Sequence, residues 1–171
     1  LVTPPPSASR SAPAAVTPLP GGFYNPGTDV RGILQSAGVA GLGDITPVPA
    51  ASGSDRLSYQ WAKDNVFGSS IQRPMMDEGR FDSEVRSYLD TTKKRSMGDF
   101  AIVPAESLKT ADVRVDTYEI ACVGKGASSS ASLIFFKKAG TFTVLALETT
   151  TDSLDTAMDI KERLLKTITG S

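Results

Sequence analysis

Residues 123–130 read Val123-Gly124-Lys125-Gly126-Ala127-Ser128-Ser129-Ser130. A lysine between glycines, followed by hydroxyls, has the raw materials of a phosphate cradle. A Walker loop, however, requires G-x-x-x-x-G-K-[ST] running directly into a helix. Here Gly126, not a hydroxyl, follows Lys125, and the next apolar run, Ser132-Leu133-Ile134-Phe135-Phe136, is β-prone. The helix dipole that would hold a phosphate is therefore missing. The stretch is expected to be a hairpin loop, with Lys125 projecting from its tip as a contact for a partner.

Other chemistry is equally constrained. The chain has no histidine and a single cysteine, Cys122. Imidazole-dependent nucleophilic systems are thus excluded, as are Cys-rich zinc sites and internal disulfides. Alternation puts Tyr118, Ile120 and Cys122 on one strand face, so Cys122 is expected to be a buried structural thiol. Asp77-Glu78 and the Asp82/Glu84 pair are the closest carboxylates, and capping and solvation are their expected roles. Met75-Met76 is expected to plug the core or form a soft contact surface, and Trp61 to lie in the core. No catalytic residue, cofactor or metal site is assigned.

The 171 residues carry 18 basic and 19 acidic groups, a net charge of -1, and 40% are apolar. This balance gives no argument for a nucleic-acid partner. No apolar run is long enough to span a bilayer as a helix. The first residue is Leu1, not methionine, so the chain is expected either to begin after processing or to be a recombinant piece, with any targeting segment removed.

Residues 1–26 form a Pro/Ala/Ser-rich arm holding seven of the 11 prolines. Such a segment has too little apolar surface to order itself and favours polyproline II, a shape that docks at low entropic cost. Pro4, Pro5, Pro6, Pro18, Pro20, Phe23 and Tyr24 in this arm, with Lys125, are the candidate partner-binding residues. Residues 27–54 are expected to hold a short helix, Thr28–Gly38 with Thr28 as cap, and then a loop with at most a short extended piece around Ile45. Residues 55–171 are expected to form the main domain.

Within that domain Arg56–Phe67 reads as one strand and residues 68–80 as a loop. A helix is expected over Ser83–Arg95 with Asp82 as cap. Phe100–Val103 reads as a short strand ended by Pro104, with a helical turn over Ala105–Lys109. Three strands then follow: Val113–Val123, Ser132–Lys138 and Thr141–Glu148, with Ala139-Gly140 as a tight turn. A helix over Ser153–Thr169, capped by Asp152 and stopped by Gly170, closes the chain. This order predicts an α+β fold, an antiparallel sheet with helices packed on it.

Residues 55–169 resemble PsbP-like domains, related in fold to the Mog family and to DcrB-type lipoproteins. The resemblance is carried by Tyr59-x-Trp61, Val85-x-x-Tyr88-Leu89, DTYEIACVG, SLIFFKKAGTFTVLALETT and the terminal helix from Asp152. It implies an α/β/α sandwich and a non-catalytic accessory subunit in the thylakoid lumen, or alternatively the bacterial periplasm. Such a subunit docks on a larger membrane-associated complex, photosystems among them. The alternatives are a free periplasmic or secreted binding module of DcrB type, with a pocket between sheet and helix, and an enzyme using carboxylates and lysine alone.

Overall fold

The computed structural model describes residues 29–50, 52–96, 98–124 and 126–170. The first element, α1 (Val30–Ser36), starts at Asp29, whose carboxylate accepts a hydrogen bond from the Arg31 amide at 3.2 Å. Asp29 therefore does the capping expected of Thr28, which lies outside the described residues. Val30, Ile33 and Leu34 are buried from this short helix. The short strand β1 (Thr46–Pro47) pairs with β2, next to the extended piece expected around Ile45.

The expected single strand over Arg56–Phe67 is in fact a hairpin. β2 (Leu57–Lys63) turns at Asp64-Asn65 into β3 (Val66–Pro74), so most of the expected loop over 68–80 is strand. Asp64 and Asn65 have φ of 51° and 67°. Two consecutive positive φ values give the turn whose twist suits a hairpin, and Asp and Asn tolerate them. Gly68 stands opposite Trp61 in this hairpin. The indole lies where a Cβ on Gly68 would be, so the glycine makes room for the tryptophan.

A 3₁₀ turn, Glu78–Arg80, capped by the Asp77 side chain, leads into α2 (Phe81–Arg95). This helix begins two residues before the expected start, and Asp82 sits inside it. Lys93, Lys94 and Arg95 lie in its last turn, where they favour the negative end of the dipole. β4 (Asp99–Lys109) then runs straight through Pro104, with a bulge between Pro104 and Ser107. Neither the expected stop at Pro104 nor the helical turn over Ala105–Lys109 is present. The physical reason is position: β4 is an edge strand, where proline costs no ladder hydrogen bond on its open side.

β5 (Val113–Gly124), β6 (Ala127–Lys138) and β7 (Thr141–Thr149) form the expected meander. Gly124 pairs with Ala127, and Ser128, Ser129 and Ser130 belong to β6. β6 is accordingly longer than the Ser132–Lys138 expected. The β6–β7 turn is Ala139-Gly140, with φ of 51° and 76°. After a 3₁₀ turn, Thr151–Ser153, α3 (Leu154–Thr169) ends at Gly170, whose φ is 75° and whose amide donates to the Lys166 carbonyl at 2.9 Å. Ser153 rather than Asp152 occupies the cap position.

The seven strands form one antiparallel sheet in the order β1-β2-β3-β7-β6-β5-β4. Strand alternation divides the core in two. On one face Tyr59, Trp61, Ile134, Phe136, Leu145 and Leu147 pack beneath α1 and α3. On the other, Phe81 and Val85 of α2 cover Leu133, Phe135, Phe142 and Val144. Phe81 and Tyr88 meet Phe142 and Phe135 edge-on, with ring centroids 5.6 and 5.4 Å apart. The result is the expected α+β class, with helices on both faces of the sheet. Among the described residues, no helix is long and apolar enough to cross a membrane.

Candidate functional site

The open edge of the sheet and helix α3 enclose a groove of about 710 Å³. Its lining includes Glu106 from β4, Glu119 from β5, and Asp155, Met158, Lys161 and Glu162 from α3. Alternation in β5 continues the face of Val113 and Val115 through Thr117 to Glu119. The β4 bulge brings Glu106 onto the same face. There the Thr117 hydroxyl donates to its carboxylate at 2.8 Å and to its carbonyl at 3.0 Å.

Lys161 closes the arrangement from above. Its Nζ lies 2.6 Å from a carboxylate oxygen of Glu106 and 2.6 Å from one of Glu119. The other oxygen of Glu119 accepts from the Ser132 hydroxyl at 2.6 Å. Lys161 is only 7% exposed. Burial pulls its pKa down, but the hydrogen bonds it donates to both carboxylates outweigh burial and leave it raised. The hydrogen bond from Lys161 holds the Glu106 carboxyl well below the usual range, at about 2. A carboxyl held this low is a poor proton donor near neutral pH. The arrangement suits ion pairing and the attraction of cations.

The groove rim is acidic and partly apolar. Five carboxylates line it against a single lysine. Asp159 and Glu162 are also reached along the helix by Arg163 at 2.8 Å and Lys166 at 3.6 Å. Met158 is 64% exposed at the rim, and Leu154 and Val103 are exposed beside it. Val103 pairs with Glu119 in the register, which puts its side chain on this face. Among the described residues nothing pairs with the outer side of β4.

The sequence-assigned chemistry is scattered. Asp77 caps its 3₁₀ turn, Asp82 pairs with Arg114 at 2.6 Å, and Glu84 is held by Arg73 and Arg80. Cys122 shares a face with Tyr118 and Ile120 as expected. It is half-buried, however, and not fully enclosed. It touches the Ser96 hydroxyl and faces a cavity of about 330 Å³ beside Tyr88, Phe100 and Glu148. Met75 is buried, as a core plug would be, whereas Met76 is exposed. Among the described residues, no group of three potential ligands could hold a metal ion.

Pro4, Pro5, Pro6, Pro18, Pro20, Phe23, Tyr24 and Lys125 lie outside the described residues. Sequence reasoning did not find Glu106, Glu119 or Lys161. A polar Thr117-x-Glu119 continuing the apolar side of β5, and a lysine on the apolar stripe of α3, were the available signals.

No protein-family model matches the chain. No curated protein is similar to it in sequence. Solved structures similar to part of the chain include the following three. A Pseudomonas aeruginosa protein of unknown function, PA94, is 13% identical, with a TM-score of 0.44 over 71% of this chain and 78% of its own. LpqN of Mycobacterium tuberculosis, described as involved in cell envelope biogenesis, is also 13% identical, with a TM-score of 0.36 over 71% and 75%. Cyanobacterial PsbP (CyanoP) of Synechocystis is 17% identical, with a TM-score of 0.46 over 74% and 79%. The last of these is a PsbP, the type of domain that residues 55–169 resemble in sequence pattern.

Proposed function

We infer that the protein is a non-catalytic accessory subunit on the lumenal or periplasmic side of a membrane, where it docks on a larger membrane-associated complex. The observation that carries this reading is the open β4 edge beside an acid-rimmed groove. The fitting occupant is an extended segment of the complex bearing lysine or arginine next to apolar side chains. Its cations would meet Asp155, Glu119 and Glu106, and its apolar groups Val103 and Met158. Pro104 and the bulge limit unspecific strand pairing along β4. The proline-rich arm of residues 1–26 supplies a second contact that costs little entropy to order. The compartment rests on the sequence resemblance to PsbP-like domains. The thylakoid lumen, with a photosystem as the complex, is the first case to test, and the periplasm is the alternative.

The test is sedimentation of gently solubilised membranes from the source organism. The full chain should travel with a large complex. Removal of residues 1–26, or Val103→Glu with Met158→Glu, should release it as a folded small species. Retained association in both variants would refute the reading. A second reading, a free binding module, is favoured by the cavities under α2. It predicts a monomer in every gradient.

A further inference from the structure

On the face opposite the acidic groove, α2 and the β2–β3 hairpin enclose a cavity of about 330 Å³ whose lining is basic. Three guanidiniums reach it: Arg56 just before β2, Arg73 of β3 and Arg95 of α2. Leu57 pairs with Gln72, so Arg56 stands next to Arg73 across the ladder. Like charges placed opposite one another in a sheet are destabilising. The compensation here is thin. Glu84 is the only carboxylate in the lining, and both Arg73 and Arg80 draw on it. Among the described residues, Arg56 and Arg95 make no ion pair. Burial, and after it the neighbouring Arg56 and Arg80, push the Arg73 guanidinium below its usual pKa.

The rest of the lining is equally selective. Ser87, Thr91 and Arg95 recur every fourth residue along one side of α2; the Thr91 hydroxyl donates to the Ser87 carbonyl at 3.0 Å, and the Ser87 hydroxyl stands in line with the Arg95 guanidinium. The floor is apolar: Ile71 pairs with Val144, and Arg73 with Phe142, in the β3–β7 register. Three cations against one lining carboxylate leave the cavity positively charged, with Asp55 acting on Arg73 from outside the lining. That matches a phosphate monoester, which carries close to two negative charges near neutral pH and presents oxygens to forked guanidinium donors. We propose that this cavity binds a phosphate monoester whose organic group is small and apolar, the phosphate between Arg56, Arg73 and Arg95 and the organic group on Ile71, Phe142 and Val144. The same chemistry occurs in a soluble ester and in a phosphatidic acid headgroup.

The experiment is calorimetric titration of the full chain with phenyl phosphate and with inorganic phosphate. Flotation on phosphatidylcholine vesicles with and without phosphatidic acid completes it. Phenyl phosphate should bind saturably and more tightly than inorganic phosphate. In Arg56→Gln/Arg95→Gln its Kd should rise roughly tenfold or more. Flotation that requires phosphatidic acid, and is lost in the double variant, would assign the site to a lipid. Binding of phenyl phosphate without flotation would assign it to a soluble ester. The ligand-free melting temperature of the double variant, and of Arg95→Gln alone, should stay level or rise, because repulsion is relieved. No saturable binding of either probe together with no flotation, affinity unchanged in the double variant, or a fall in ligand-free melting temperature would each overturn the assignment.

Discussion

Lys161 of α3 holds Glu119 of β5 at 2.6 Å, although 42 residues separate them in the chain. This contact ties the terminal helix to the sheet through charge as well as through apolar packing. Lys161→Met removes a nearly buried ammonium and leaves two carboxylates facing each other. Both are partly exposed, so water takes over part of their solvation. The expected loss is about 1–2 kcal/mol, less than for breaking a fully buried pair. Urea denaturation of wild type and variant measures it.

The same cluster gives a pH dependence with a definite sign. Glu106 has a folded pKa of about 2, below its usual 4.5, because Lys161 and Thr117 hydrogen-bond its ionised form. Its contribution is therefore complete above about pH 4.5 and lost as the pH falls from there towards 2. Glu106 is mostly exposed, so screening keeps this contribution to about 1 kcal/mol or less. Glu106→Gln should flatten the stability curve over that window and leave its slope above pH 6 unchanged, as read from denaturation midpoints.

Trp61 occupies the space where a side chain on Gly68 would begin. Gly68→Ala should cost about 1–3 kcal/mol through overpacking. Trp61 is the sole tryptophan, so its near-ultraviolet circular dichroism reports the displacement directly.

Ala139 adopts a φ of 51° in the β6–β7 turn, a region that penalises ordinary L-residues. Ala139→Asn creates the Asn-Gly pair that this turn geometry favours. The expected gain is about 0.5–1 kcal/mol, seen as a higher denaturation midpoint with unchanged slope.

The meander was readable because β5, β6 and β7 carry Val, Ile, Leu, Phe and Thr between short turns. β3 was not, because Gly68, Ser69, Ser70, Gln72 and Arg73 look like loop. Its inner face is filled from elsewhere. Trp61 covers Gly68, and buried Gln72 donates to the Thr143 hydroxyl at 3.0 Å. Asp64-Asn65 was a legible turn signal, overlooked within an otherwise continuous run. Extension of β4 through Pro104 depends on its place at the sheet edge, which is a property of topology and not of local sequence. Both side-chain clusters are long-range in the same sense. Glu106, Glu119 and Lys161, or Arg56, Arg73 and Arg95, come together only after register is set.

The strand order has a kinetic meaning. Every ladder in the sheet joins neighbours in the chain except one, β3 with β7. Two locally closed pieces, β1–β3 and β4–β7, meet along this eight-pair seam from Phe67↔Glu148 to Pro74↔Thr141. Closing it requires the longest loop in the sheet, which makes it the slow step of assembly. Exchange of the β3 amides between Val66 and Arg73 that bond to β7 should then report the global unfolding of the molecule, while the outer strands open in smaller steps.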